Sequence, residues 1–242
     1  MENFLLLFTL LVSLPTAEQR LQALRTVLHQ PNAQWRNEGQ RLAVIRGLEW
    51  KTDVVVILPT GSGKSAIITT IAHLEKNTVT AVLCPLRSLL VDWQRRLDAV
   101  NFPYSVFKPS QSTIPDQKPI ILVSLDVTDG HSWRQAVSMM RSEVPLTRVV
   151  FDEAHLVLTE VSYRGVMTHV KELRMGRTQF VLLSATVPPT AMAELDPAFT
   201  LTSNPLIIRA SSNRPELLFN VPIKYGVLNQ DVSTATLSIE LN

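Results

Sequence analysis

The chain has 242 residues, with 23 basic against 21 acidic and 45% hydrophobic. That balance excludes a histone-like polycation and leaves room for a local basic groove, and a chain this long buries roughly 70% of its unfolded surface without covalent staples. Cys84 is the only cysteine, which excludes an intrachain disulfide and a four-cysteine zinc site and suits a reducing, intracellular setting.

Phe4 to Leu14 is an apolar run with the length of a signal-peptide core. Glu2 lies before it and no basic residue precedes Arg20, which argues against a signal peptide, though Ala17 could precede a cleavage site and keeps that alternative open; the run is too short to span a bilayer. The expectation is the edge of a helical segment with no membrane partner. Pro15-Thr16 followed by Gln19 predicts a helix start, with Thr16 as N-cap and Gln19 completing a capping box. Leu21, Leu24, Val27 and Leu28 then recur at helical spacing, and Pro31 is expected to stop the run. Leu42, Val44, Ile45 and Leu48 predict a second helix with Gln40 near its start.

Asp53-Val54-Val55-Val56-Ile57-Leu58 is apolar and β-branched after its first residue, which predicts a buried strand; Lys64 to Leu74 follows as a helix with almost no polar face. The loop between them runs Leu58-Pro59-Thr60-Gly61-Ser62-Gly63-Lys64-Ser65. It must turn sharply while aiming successive N–H groups at one point. Gly61 and Gly63 supply torsional freedom, and the helix N-terminus supplies partial positive charge where phosphates sit. Thr60, Gly61, Ser62, Gly63, Lys64 and Ser65 are therefore candidate ATP-binding residues. Lys64 would reach the β- and γ-phosphates, and the Ser65 hydroxyl would ligate Mg²⁺. The usual pattern G-x-x-x-x-G-K-[ST] has glycine where this chain has Leu58. Taken alone, the run could also be a Gly-Ser turn with an exposed lysine.

Val79–Cys84 predicts a second strand and Leu89–Val100 the helix after it. Arg87 and Ser88 sit at the junction, where N-terminal N–H groups and short polar side chains can hold nucleic-acid phosphates; for Ser88 a plain N-cap is the alternative. Trp93 reads as core rather than a base-stacking platform, and Gln94-Arg95-Arg96 as a solvated face. Further strands are predicted at Tyr104–Phe107, Ile120–Ser124, Arg148–Asp152, Phe180–Ser184 and Leu206–Arg209, with a polar loop across Pro103 to Pro119. This alternation predicts an α/β fold, a mostly parallel sheet with helices on both faces. His29, His73, His131 and His169 show no ligand spacing.

The strand Thr147-Arg148-Val149-Val150-Phe151 ends in the box Asp152-Glu153-Ala154-His155. Parallel sheets place their ligands at the carboxyl ends of strands. Asp152 is therefore a candidate Mg²⁺ ligand, and Glu153 a candidate base for the attacking water, a role that contributes about 10²–10⁴-fold. A solvated acidic strand end is the alternative for these two residues alone.

In their order, these motifs resemble the first RecA-like lobe of a superfamily-two helicase, and within that group RecQ-type DNA helicases. Gln40, in Trp35-Arg36-Asn37-Glu38-Gly39-Gln40, is similar to the family's glutamine that reads adenine, with an amide that both donates and accepts. Cys84-Pro85-Leu86-Arg87-Ser88-Leu89-Leu90, Leu183-Ser184-Ala185-Thr186 and Ser212-Asn213-Arg214-Pro215 follow as further family segments. The resemblance implies a P-loop NTPase lobe at 31–215, between an N-terminal apolar and helical segment at 1–30 and a tail or start of a second lobe at 216–242. It implies Mg-ATP as cofactor, DNA rather than RNA as partner, 3′-to-5′ unwinding in repair or recombination, and an intracellular, in a eukaryote nuclear, setting. His155, Ser184 and Thr186 would couple nucleotide state to the rest of the lobe. Only 27 residues follow Pro215, too few for the second lobe whose arginine finger is worth roughly 10³–10⁵ in rate. Slow hydrolysis is therefore expected from this chain alone. The chain departs from the RecQ pattern at Leu156 to Arg164, where an aromatic-rich loop is usual and Tyr163-Arg164 answers only its end, and at Ser184-Ala185-Thr186, which is nearer the RNA-helicase form. An RNA helicase or duplex translocase lobe, or a nucleotide-binding remnant without enzymatic activity, are the alternatives; a small P-loop kinase would not need the ordered blocks.

Overall fold

The computed structural model describes residues 14–110, 118–128, 130–143, 145–159 and 178–211. The expectations for most of the N-terminal apolar run, part of the Pro103–Pro119 loop, Tyr163-Arg164, His169, Asn213-Arg214-Pro215 and the tail lie outside these residues. In chain order the elements are α1 (Ala17–Leu28), α2 (Glu38–Glu49), β1 (Val54–Ile57), α3 (Lys64–Leu74), β2 (Val79–Cys84), α4 (Arg87–Ala99), β3 (Tyr104–Val106) and β4 (Ile120–Ser124). They continue with α5 (His131–Glu143), β5 (Leu146–Phe151), the single turn α6 (Leu156–Thr159), β6 (Gln179–Ser184), α7 (Met192–Phe199) and β7 (Leu206–Arg209).

All seven strands pair parallel, in the order β3-β4-β2-β5-β6-β1-β7. Every residue of β1, β2, β5 and β6 is buried, which is why these segments read as unbroken apolar runs rather than alternating ones. Alternate side chains feed two cores. Val54, Val56, Val82, Val150 and Val181 face α1 to α4, packing on Val44, Ile67, Ile68, Ile71 and Trp93. Val55, Ile57, Leu83, Val149 and Leu182 face the opposite way, onto Trp133 and Val137 of α5 and Leu195 and Phe199 of α7. The α/β expectation thus holds, with a sheet parallel throughout its described strands.

Element ends shift for physical reasons. The capping box of Thr16 and Gln19 forms, but α1 ends at Leu28 because His29 turns left-handed at φ 51°, two residues before Pro31. β5 begins at Leu146, with the pairing register slipping between Val79 and Thr80 to pass Thr147. Helix α4 begins at Arg87, not Leu89; its N-cap is Leu86, extended at φ −115° with no side-chain cap. Ser88 therefore lies inside the first turn, and the N-cap reading of that residue is wrong. Among the described residues, no helix is long and apolar enough to cross a membrane.

The sheet register decides where chemistry can occur. Ile57 pairs with Ser184, Phe151 with Leu182, and Leu83 with Phe151. The carboxyl ends of β1, β6, β5 and β2 therefore share one edge, with β6 between the strands that precede the glycine loop and the acidic box.

Candidate active site

Leu58 continues the ladder past β1 by donating its N–H to Ser184 O at 3.1 Å, and Ser62 N closes a turn on Pro59 O at 3.2 Å. The loop then needs two left-handed residues, Gly61 at φ 82° and Gly63 at φ 84°. At Gly63 a side chain is also excluded by space, because a Cβ would stand 2.4 Å from Gln40 Nε2. Gly63 serves as the N-cap of α3 and offers no side-chain acceptor, so the first N–H groups of that helix and its positive dipole end are available to an anion.

Lys64 is folded back over the loop, Nζ donating to Leu58 O at 2.9 Å and to Pro59 O at 3.4 Å. Burial lowers the pKa of its ammonium, while the charges of Glu153 and Asp152 act to raise it. The loop lysine and both acids of the box therefore occupy one electrostatic neighbourhood. Arg96 lowers the Lys64 pKa further and donates to Ser65 Oγ at 3.4 Å.

On the acidic side, Asp152 N donates to Leu83 O at 3.1 Å, which seats the residue just past the ends of β2 and β5. The residue is 8% exposed. Oδ1 accepts the Glu153 N–H at 3.0 Å and Oδ2 accepts Trp93 Nε1–H at 2.7 Å. Burial raises the Asp152 pKa above the ordinary carboxylate value, against the lowering effect of the Trp93 bond. Glu153 itself adopts φ 46°, a left-handed conformation that a non-glycine residue pays for in strain. Its Oε2 is buried without a hydrogen-bond partner, as is Ser62 Oγ.

His155 Nδ1 lies 3.3 Å from Glu153 Oε2 and shares a 2.9 Å hydrogen bond with Ser184 Oγ. Ser184 Oγ also accepts the Thr186 N–H at 3.2 Å. The acidic box is thereby joined to the segment after β6, through the histidine and serine side chains and the threonine backbone; Thr186 itself is exposed. Gln40 is 1% exposed. Its Oε1 accepts the Arg36 N–H at 2.8 Å and its Nε2 donates to Gly63 O at 3.2 Å, so the amide ties α2 to the loop rather than standing open in the cleft. Arg87 and Ser88 are exposed in the first turn of α4, outside this cluster. Thr60 and Gly61 are exposed at the loop's tip, and Ser62 is buried beneath it.

Two residues of the site went unassigned in the sequence. Trp93 is buried as expected, yet its N–H bonds a candidate metal ligand. Arg96, read as solvated surface, is half-exposed and reaches back to Ser65 as well as to Asp92. The only available signal for Trp93 was that a buried indole N–H needs a partner.

These groups fit a Mg²⁺–triphosphate. Ser65 and Asp152 offer one hydroxyl and one carboxylate, and Mg²⁺ is typically held by one or two carboxylates with water and substrate phosphates completing its shell. Among the described residues no group of three or more His, Cys, Asp or Glu could hold a metal without such help. The uncapped α3 terminus and the Lys64 ammonium suit phosphate oxygens, and Glu153 Oε2, 3.3 Å from His155 Nδ1, is an acceptor that a water would share with that ring.

Comparison with known proteins points the same way. The family described as DEAD/DEAH box helicase matches residues 37–195. The chain is 25% identical to the ATP-dependent helicase SGS1 of Saccharomyces cerevisiae, over 86% of this chain and 15% of that protein. It is 28% identical to the ATP-dependent DNA helicase hus2/rqh1 of Schizosaccharomyces pombe, over 76% of this chain and 15% of that one. Likewise it is 26% identical to the ATP-dependent DNA helicase Q-like 4B of Arabidopsis thaliana, over 74% of this chain and 17% of that one. The matched stretch is thus a small part of each relative's length.

Proposed function

The chain belongs to the DEAD/DEAH box helicase family, and on that premise we propose that it is the ATP-binding lobe of a RecQ-like, ATP-dependent 3′-to-5′ DNA helicase. What supports this reading is that β6 alone separates the strand leading to Lys64 from the strand ending at Asp152 and Glu153, so that at the carboxyl edge of one parallel sheet the charges of both acids act on Lys64. The DNA preference rests on the relatives, two of which are named DNA helicases.

In the proposed mechanism, the uncapped N–H groups of α3 and the loop from Thr60 to Gly63 bind the phosphate chain, and Lys64 leaves the Leu58 and Pro59 carbonyls for the β- and γ-phosphates. Ser65 and Asp152 would hold Mg²⁺, which would neutralise charge on the phosphate oxygens. Glu153, whose Oε2 lies 3.3 Å from His155 Nδ1, would accept the proton of the water that attacks the γ-phosphorus as the bond to the ADP oxygen breaks. A change at Glu153 would reach Ser184 through His155, and the Thr186 backbone through Ser184 Oγ. Gln40 is buried against Arg36 and Gly63, so reading adenine requires its amide to leave those partners for the cleft, as Lys64 leaves its carbonyls. Arg87 and Ser88 contact DNA phosphates, and a second lobe supplies the transition-state arginine. The protein acts inside the cell, in the nucleus where there is one.

Single-turnover ATP hydrolysis by the chain, with single-stranded DNA, RNA or neither, tests this. Mg-dependent ATP binding with slow hydrolysis is expected, rising with DNA more than RNA once a second lobe is joined. Stimulation by RNA alone would turn the reading to an RNA helicase, and brisk DNA-stimulated turnover by these 242 residues would remove the need for a second lobe.

A further inference from the structure

Asp152 is held from two sides, and only one of them is local. The Glu153 N–H at Oδ1 comes from the next residue, whereas the indole N–H at Oδ2 comes from α4, fifty-nine residues away. That second bond is sealed from water, with Trp93 2% and Asp152 8% exposed. At 2.7 Å it falls in the short range of bonds to ionised acceptors. An indole donates and cannot accept, so it admits only the carboxylate rotamer that turns an oxygen toward it. Each oxygen of Asp152 is then left with lone pairs facing away from its donor.

Resting on the Mg-ATP reading above, we propose that Trp93 is a positioning residue for the metal ligand Asp152. Its N–H holds the carboxylate in the orientation that presents the free lone pairs to the cation shared with Ser65. The residue acts through Asp152 and touches neither nucleotide nor metal. A phenyl ring in its place would keep most of the packing on α4 and leave one buried carboxylate oxygen without its donor. Such outer partners of metal ligands typically account for about 10–100-fold in metal affinity.

The test titrates Mg²⁺ into the full chain with a fluorescent anthraniloyl-ATP analogue, alongside the same nucleotide in EDTA. For Trp93→Phe the Mg²⁺ concentration giving half-maximal tight binding is expected to rise about tenfold, with metal-free nucleotide affinity little changed and Tm lowered by a few degrees for the lost buried bond. Trp93→His, which keeps a ring N–H, is expected to stay within about threefold of wild type. An unchanged Mg²⁺ requirement in Trp93→Phe overturns the inference. So does an equal loss with and without metal, or a Trp93→His as impaired as Trp93→Phe. If the variants do not fold, the Trp93 indole ¹H–¹⁵N resonance of the unaltered chain serves instead: it should move with Mg-nucleotide and not with nucleotide in EDTA, and a resonance blind to Mg²⁺ refutes the role. Absence of any Mg-dependent nucleotide binding by the unaltered chain overturns the nucleotide-site reading itself, and this inference with it.

Discussion

The side-chain amide of Gln40 donates to the carbonyl oxygen of Gly63 at 3.2 Å while accepting the backbone N–H of Arg36 at 2.8 Å. One buried glutamine thus clamps the start of α2 onto the glycine that begins α3. The clamp works only because Gly63 has no side chain.

Gly63 and Gly61 share a left-handed conformation but not an environment, which separates two costs. At Gly61 an added Cβ meets nothing within 4 Å, so Gly61→Ala meets backbone strain of about 1–2 kcal/mol and little else. At Gly63 the same Cβ would lie 2.4 Å from Gln40 Nε2, so Gly63→Ala must also expel the clamp. Calorimetric titration with ATP is expected to show at least tenfold weaker binding in Gly63→Ala than in Gly61→Ala. Equal affinities would mean that the Gln40 contact does not shape the loop.

Lys64 and Glu153 should fail differently. Lys64→Ala removes the cation from the phosphates and is expected to abolish detectable nucleotide binding. Glu153→Gln keeps shape and the left-handed backbone but removes the base, so binding should persist while single-turnover hydrolysis falls about 10²–10⁴-fold. Filter binding and rapid quench on both variants decide the matter; equal loss of binding in the two would contradict the assigned roles.

At the opposite edge of the sheet, the fully buried guanidinium of Arg148 grips Glu75 with both terminal nitrogens at 2.9 Å, and also donates to Gln179 Oε1 at 2.9 Å and Gly47 O at 2.6 Å. Glu75 is itself only 10% exposed. Arg148→Met removes the charge partner of that carboxylate and leaves it the Trp50 Nε1–H at Oε1, and breaking one partner of a buried pair costs about 3–5 kcal/mol. Chemical denaturation should register that loss, and Glu75→Gln added to Arg148→Met should recover a good part of it. A double variant as unstable as the single one would show that Arg148 matters through Gln179 and Gly47 instead.

The fold was legible because parallel strands buried on both faces must be apolar throughout. Val54–Ile57, Val79–Cys84 and Ile120–Ser124 announce themselves without any knowledge of their partners. The glycine loop was legible because its torsions demand Gly61 and Gly63. What could not be read is where distant segments meet. Trp93 finds Asp152 across fifty-nine residues and Arg148 finds Glu75 across seventy-three, and nothing in either local pattern names the partner. Arg96 misled for a related reason: its place among exposed charges on α4 is real, but the side chain is long enough to reach Ser65. The end of α1 at His29 was hidden by Pro31, a stronger breaker that the helix never reaches.

Cys84 offers a probe of the site from beneath. It closes β2, is wholly buried, and burial together with the negative charge of Asp152 pushes its thiol pKa far above the ordinary value. Thiolate is the reactive form, so the folded chain should resist iodoacetamide, and raising the pH from 7 to 9 should accelerate labelling far less than it does for a free thiol. What labelling occurs must pass through local opening of the core on the α1-to-α4 face, where Cys84 shares a buried cluster with Trp93. A ligand that binds only the closed form lowers the open population in proportion to its saturation, so Mg-ATP should slow the reaction and ATP with EDTA should slow it less. Mass spectrometry of the alkylated peptide over time measures this directly. Rapid, pH-responsive labelling of the native chain would place Cys84 at the surface and undo the packing of Asp152 against β2.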